Sequence, residues 1–193
     1  MKKRLGPVER LFPMPCALVV GGSLEYADTL AVAWINIVSS TPPTVAMGLR
    51  ESRNTLDLIR RSGSFTVNIP PASLAAEVDF CGTTQGAKTD KFVATGLTLV
   101  PGAVTPTPLI EECPFNLECR VTEEVEVGAY RVVIGEIVEA HADIEVLREE
   151  GGDIVEMAAL DPLVYIAGAR EYWRLGEKVA DAYSVGRRFT AAE

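Results

Sequence analysis

Histidine is nearly missing from this chain: His141 is the single one among 193 residues. One imidazole cannot build a paired-histidine metal site, and no Ser-His-Asp or Cys-His arrangement assembles around it. Hydrolytic triads and histidine-bound metals are thereby poor candidates. His141 stands in the alternating stretch Glu139 to Val146, where an exposed, idle side chain is expected. Cysteine is also sparse, with Cys16, Cys81, Cys113 and Cys119 in no CxxC spacing, which argues against zinc. Cys113 and Cys119 read as one strand; at about 3.3 Å per residue they lie roughly 20 Å apart, beyond disulfide reach. Buried free thiols in a reducing compartment are expected, with a redox use of Cys81 left open.

Other absences narrow the field further. No GxGxxG or GxxxxGK[ST] motif occurs, so the usual dinucleotide and P-loop readings fall away. No apolar run nears the roughly 18 residues of a spanning helix. The start has a basic tip and apolar residues, but Glu9, Arg10 and three prolines break any signal-peptide core, and a cytoplasmic location is expected. The net charge of −9 offers no basic face for nucleic acid or an anionic membrane. No internal repeat is visible.

What the chain does contain is an ordinary globular balance, 48% hydrophobic and 23% charged residues. One domain over residues 1–193 is expected, with a core at about 8–176 and a C-terminal extension at 177–193. Strand-like runs dominate: 17–20, 30–38, 44–49, 65–69, long strands between Phe115 and Val146 with a turn near Gly128, and a last one after Pro162. Helical signals are few. Thr55 to Arg61 carries an apolar face, two arginines in its last turn and Gly63 as a stop. Ser73 is a candidate cap for a helix ending at Gly82, and Thr89 for a short turn ending at Gly96. An amphipathic piece is expected from Glu177 to about Tyr183, and residues 100–108 read as an exposed, proline-rich connection. Many strands without βα alternation favour a closed or nearly closed antiparallel β-barrel with short helices over its openings.

Residues 28–55 hold the densest chemistry. Two strand-like runs flank Pro42-Pro43, and the second leads through Arg50, Ser52, Arg53 and Thr55 into a helix. Guanidinium forks, hydroxyls and a helix start suit a phosphate, while the small residues Ala31 and Ala33 beside Trp34 leave room for a flat ring. Read blandly, Ser52, Asn54 and Thr55 are helix caps and Trp34 is a core residue. If 30–38 is one strand, Ala33 and Trp34 face opposite sides, so the ring would meet a strip of backbone. Asn68 at a strand end is read as a structural amide serving loop backbone, and Lys91 and Phe92 as a salt bridge and an apolar anchor for their turn.

The segments Ala31-Val32-Ala33-Trp34, Val38-Ser39-Ser40 with Pro42-Pro43, and Ser52-Arg53-Asn54-Thr55 resemble those of the flavin reductase-like family. So do Phe65 to Pro70, Asp90-Lys91-Phe92, Leu117-Glu118-Cys119, Ile134-Gly135-Glu136-Ile137 and Pro162 to Tyr165, in the same order over roughly residues 8–176. The resemblance implies an FMN-binding split β-barrel of flavoredoxin or small flavin reductase type, assembled as a homodimer with the cofactor near the subunit interface. It implies that Ala31, Val32, Ala33 and Trp34 lie along the isoalloxazine and that backbone at Val38, Ser39 and Ser40 binds its polar edge. It further implies that Ser52, Arg53, Asn54 and Thr55 hold the phosphate, with Lys88 in reach of it. No catalytic side chain and no metal are expected. The expected activity is that of an FMN-dependent oxidoreductase, passing electrons from NADH or NADPH, or from a redox protein partner as flavoredoxin-like carriers do. In one respect the chain departs from the family: Gly128-Ala129-Tyr130 stands where many NAD(P)H-using members carry Gly-Asp-His. The alternatives are a cofactor-free barrel acting as a binding scaffold and, more remotely, haem binding.

Overall fold

A computed structural model describes residues 1–148 and 152–189. Among these described residues, twelve strands, β1 to β12, and four α-helices, α1 to α4, follow in chain order. They are β1 (Met14–Pro15), β2 (Ala17–Ser23), β3 (Tyr26–Val32), β4 (Ile35–Ser40), β5 (Pro43–Arg50), α1 (Asn54–Ser62) and β6 (Ser64–Ile69). Then come α2 (Ala75–Thr83), α3 (Lys91–Thr95), β7 (Leu99–Val100), β8 (Leu109–Ile110), β9 (Phe115–Val127) and β10 (Tyr130–Ala142). The last are α4 (Met157–Leu160), β11 (Val164–Ile166) and β12 (Glu171–Trp173).

The main sheet has seven antiparallel strands in the order β3-β2-β6-β9-β10-β5-β4. Its two edge strands, β3 and β4, are consecutive in the chain and joined by only Ala33 and Trp34. Three peptide steps from Val32 to Ile35 span at most about 11 Å, so the opposite edges of the sheet must curl round and meet. The expected antiparallel barrel is therefore present, and it closes at a covalent seam rather than by a last ladder of hydrogen bonds. Leu30 and Val32 from one edge and Ile35, Val45, Met47 and Leu49 from the other share a core with Phe65, Val67, Cys119 and Val133. β9 and β10 form a hairpin of two 13-residue strands, turning at Gly128 with φ 58 as the sequence leads one to expect.

The helices sit outside this core. α1 packs on β2 at Gly21, where a Cβ would stand 2.8 Å from both the Thr55 carbonyl and Ile59 Cγ1. α2 lies against β3, with Gly82 facing Ala31. Together with β1, β8 and β11, α2 covers a second apolar cluster that includes Cys16, Leu18, Cys81, Ile110 and Leu163.

Several local expectations are corrected. The strand expected over 30–38 breaks at Ala33-Trp34, because those two residues turn the corner of the seam. α2 is preceded by a 3-10 turn at Ala72–Leu74, so Ser73 lies inside that turn and caps nothing. α3 is capped by Asp90, whose carboxylate accepts the Val93 N–H at 3.1 Å, and Thr89 only precedes it. Cys113 sits in the turn before β9, off the strand that holds Cys119. All four cysteines are free and buried. No helix forms at 177–183; a 3-10 turn at Val185–Phe189 follows instead, and residues 190–193 of the expected extension lie outside the described residues. Among the described residues no helix is long and apolar enough to cross a membrane.

His141 is not idle. Its Nε2 lies 2.8 Å from Oε1 of Glu118, a carboxylate with no solvent exposure. Glu118 also accepts from the backbone N–H groups of Ala103, Val104 and Thr105 and from the Thr105 hydroxyl. The proline-rich connection is thus strapped to β9 by one buried carboxylate. Burial alone would raise its pKa, but the His141 contact and these loop donors outweigh burial and hold it down at about 2. Asn68 is structural, as expected, but it serves strand rather than loop backbone, accepting the Ile110 N–H of β8 and donating to the Leu18 carbonyl of β2.

Candidate functional site

The barrel seam opens into a cleft of about 480 Å³. One wall is the seam itself, Leu30 to Trp34, together with Gly48, Leu49 and Arg50 at the end of β5. Among the described residues β3 pairs only with β2, so its outer edge along Ala31 and Val32 carries backbone N–H and C=O groups that no described strand uses. The small side chains of Ala31 and Ala33 leave that edge open. Both Ala33 and Trp34 line the cleft, contrary to the alternation expected of a continuous strand, because the chain is bent there.

Trp34 is held in place by backbone and ring contacts. Its carbonyl accepts the Gly48 N–H at 2.8 Å, and its ring lies 4.8 Å from the Tyr130 ring, centroid to centroid, at 39°. Tyr130 begins β10 and pairs with Arg50 on β5. The Arg50 Nε donates to the Tyr130 hydroxyl at 3.0 Å, and its guanidinium stands 5.3 Å from the ring centroid. The residue that departs from the family triplet therefore belongs to the cleft wall.

Arg53 lines the same cleft at the N-cap of α1, which has no side-chain cap. The first N–H groups of such a helix lack intrahelical acceptors and carry partial positive charge. Its neighbours are otherwise engaged. The Thr55 hydroxyl donates to Asp28 Oδ2 at 2.7 Å, and the Asn54 amide donates to the same oxygen at 3.3 Å. Asp28, 5% exposed, also forms an ion pair with Lys91 at 3.1 Å. The buried carboxylate thus ties α1, β3 and α3 together, and the expected salt bridge of Lys91 reaches across the fold rather than staying in its own turn. Ser52 is exposed on the turn before Arg53.

The opposite wall comes from α2 and the β11–β12 hairpin: Asp79, Gly82, Thr83, Tyr165, Arg170 and Tyr172, with Cys16 between. The Tyr172 hydroxyl donates to Asp79 Oδ1 at 3.2 Å, and its ring lies 5.7 Å from the Tyr165 ring, centroid to centroid, tilted at 49°. Burial, with Cys16 and Asp79 beside it, pushes the Tyr172 phenol up from its ordinary value. Burial likewise raises the Cys16 thiol to about 12 and the Cys81 thiol to about 11, so neither is a thiolate near neutral pH.

Of the residues singled out from sequence, Ala31, Val32, Ala33, Trp34 and Arg53 meet in this cleft. Val38, Ser39 and Ser40 do not; they lie at the far end of β4 beside the proline turn. Lys88 is exposed and lines a separate cavity of about 330 Å³ with Tyr26, Asp28 and Lys91. Tyr130, Tyr165, Arg170 and Tyr172 were not singled out as site residues. Tyr130 had a signal in its odd position, whereas the β11–β12 residues join the site only through tertiary packing.

Residues 9–174 match the sequence profile of the flavin reductase like domain. The chain belongs to the flavin reductase-like family. Flavoredoxin of Desulfovibrio vulgaris (Miyazaki F) superposes with a TM-score of 0.90 at 33% identity, covering 96% of this chain and 100% of that one. Flavoredoxin from Methanosarcina acetivorans gives a TM-score of 0.89 at 28% identity, covering 97% and 99%. An uncharacterized protein of Archaeoglobus fulgidus is 36% identical over 137 residues, 70% of this chain and 77% of its own length. The family's split barrel is thus the fold described above.

Proposed function

We propose that this chain is an oxidoreductase that passes electrons through a non-covalently bound FMN, in the manner of a flavoredoxin or a small flavin reductase. One observation carries the reading: the unpaired outer edge of β3, Arg50 at the end of β5 and Arg53 at the start of α1 border the same cleft. Backbone donors and acceptors beside small side chains suit the polar edge of a flat ring. Two guanidinium groups with a helix start suit a phosphate monoester. The donor set therefore fits FMN, and the similarity to flavoredoxins supports the choice.

FMN, when bound, supplies one- and two-electron chemistry at its isoalloxazine ring. The protein's part is binding and orientation. Ala31 to Trp34 would hold the ring, Arg53 and the first N–H groups of α1 the phosphate, and Tyr130 would steady both Trp34 and Arg50. Asn54 and Thr55 would act through Asp28, fixing the turn rather than touching the ligand. No general acid or base is required of the cleft. A single domain working as a homodimer, with the cleft near the subunit interface, completes the proposal. Its support is the exposed apolar pair Ile37 and Val38 on edge strand β4. Within that dimer, Val38 to Ser40 would serve a second copy's cleft.

The absorbance spectrum of the purified protein, before and after addition of FMN, tests the reading directly. A flavin band near 450 nm that stays with the protein on gel filtration is expected; a colourless protein that binds no FMN overturns it. Stopped-flow reduction of the bound flavin by NADH, NADPH or a reduced ferredoxin would then separate reductase from carrier.

A further inference from the structure

We infer that the β11–β12 side of the cleft is a second anion subsite, built on Arg170, for a flat electron donor or acceptor that carries a carboxylate or phosphate. The inference rests on the reading just given, because it assigns the first anion position, at Arg50 and Arg53, to FMN. Arg170 lies in the turn between the Val164–Ile166 and Glu171–Trp173 strands and lines the cleft. Its backbone is in the left-handed region, φ 59, which an L residue other than glycine adopts at a cost. Gly168, in the same turn, shows how the chain meets such a requirement elsewhere, with φ 86. The Arg170 N–H closes the turn on the Ile166 carbonyl at 3.0 Å, but its guanidinium makes no hydrogen bond or ion pair among the described residues.

The surroundings fit a ligand rather than a structural partner. Asp79, the carboxylate on this wall, accepts from the Tyr172 hydroxyl and forms no ion pair with Arg170 among the described residues. Tyr165 and Tyr172 line the cleft beside it as two tilted rings, a surface for an aromatic or conjugated body. A free cation held over a cleft in a chain of net charge −9 would select an anion locally against an acidic surface. A strained arginine next to two tilted tyrosine rings is thus a specificity element: the rings take the planar part, and the guanidinium takes its charge.

The test uses the full chain and two matched probe pairs: 4-nitrobenzoate against 4-nitrobenzamide, and NADPH against NADH. Binding is followed by quenching of tryptophan fluorescence in the FMN-free protein and, separately, as competition in FMN-loaded protein. The wild type is expected to favour the more anionic member of at least one pair by about 10-fold or more, the range of a charge-assisted hydrogen bond. The first pair reports a carboxylate source and the second a phosphate. Arg170→Gly should remove that preference while FMN affinity stays within about 2-fold, and Arg170→Lys should retain part of it. Because glycine relieves the left-handed backbone, Arg170→Gly should melt no lower than wild type. No preference in the wild type, a preference surviving in Arg170→Gly, or an FMN loss as large as in Arg53→Ala would each overturn the inference. Failure of wild type to bind FMN would sink the cofactor reading and with it the description of this subsite as the second, whereas the anion preference of Arg170 is read separately, since the quenching experiment needs no flavin.

Discussion

Arg53 and Glu118 show how differently one charged side chain can be used in this fold. Arg53 lines the cleft at a helix start with no side-chain cap. Arg53→Ala should cost about 1.5–3 kcal/mol of FMN affinity, the range for a charge-assisted hydrogen bond. Riboflavin, lacking the phosphate, should bind wild type and variant alike. Parallel titrations of the two flavins check this, and equal weakening of both would refute the phosphate role. Glu118 works through stability instead. Its carboxyl is held at about 2, below its ordinary value of 4.5, so the folded state favours the ionised form. The contribution is fully present above the unfolded pKa and is lost as pH falls from about 4.5 towards 2, amounting to about 3 kcal/mol at most. Urea midpoints measured from pH 6 to 2.5 should fall steeply in that window for wild type. They should fall less in Glu118→Gln, which starts lower because an amide NH₂ cannot accept the loop N–H groups.

At the scale of elements, α1 is positioned by contacts that leave no slack. Gly21 admits the helix against β2, and Asp28 grips its first turn through Asn54 and Thr55. Gly21→Ala should lower stability by about 1–3 kcal/mol through overpacking. It should also weaken FMN more than riboflavin, because the helix start moves and the ring wall does not. Asp28→Asn should be worse, at about 3–5 kcal/mol, since it leaves the buried Lys91 ammonium without its charge partner. Thermal denaturation of the two variants against Asn54→Ala ranks these effects. The start and stop of α1 were legible in sequence, through its apolar spacing, last-turn arginines and Gly63. The jobs of Asn54 and Thr55 were not, because Asp28 is 27 residues from Thr55 in the chain. Ser73 and Thr89 misled for a related reason: several residues can cap a helix, and tertiary packing chooses where it begins.

For the molecule as a whole, the seam between β3 and β4 decides both shape and chemistry. Closing the barrel through a two-residue link leaves one strand edge unpaired, and an unpaired edge inside a cleft is available to a ligand rather than to another strand. The same edge strategy leaves β4 carrying exposed Ile37 and Val38. Sedimentation velocity should find a dimer, and Val38→Asp should shift it towards monomer and lower FMN affinity together. A wild-type monomer with full FMN affinity would remove the dimer from the proposal.

Composition and motif order were enough for a mostly β barrel and for the family, and they singled out residues 31–34, Arg50 and Arg53, which line one cleft, because those properties are written in local spacing. Tertiary structure alone decided that Ala33 and Trp34 turn a corner, that Tyr130 stacks on Trp34, that Asp28 occupies Thr55, and that Arg170 joins the cleft. Each of these depends on strands brought together across the sheet or on a hairpin from the far end of the chain. Alternation and propensity describe neighbours along the backbone, and they carry no information about which distant surface the closing of the barrel will bring opposite.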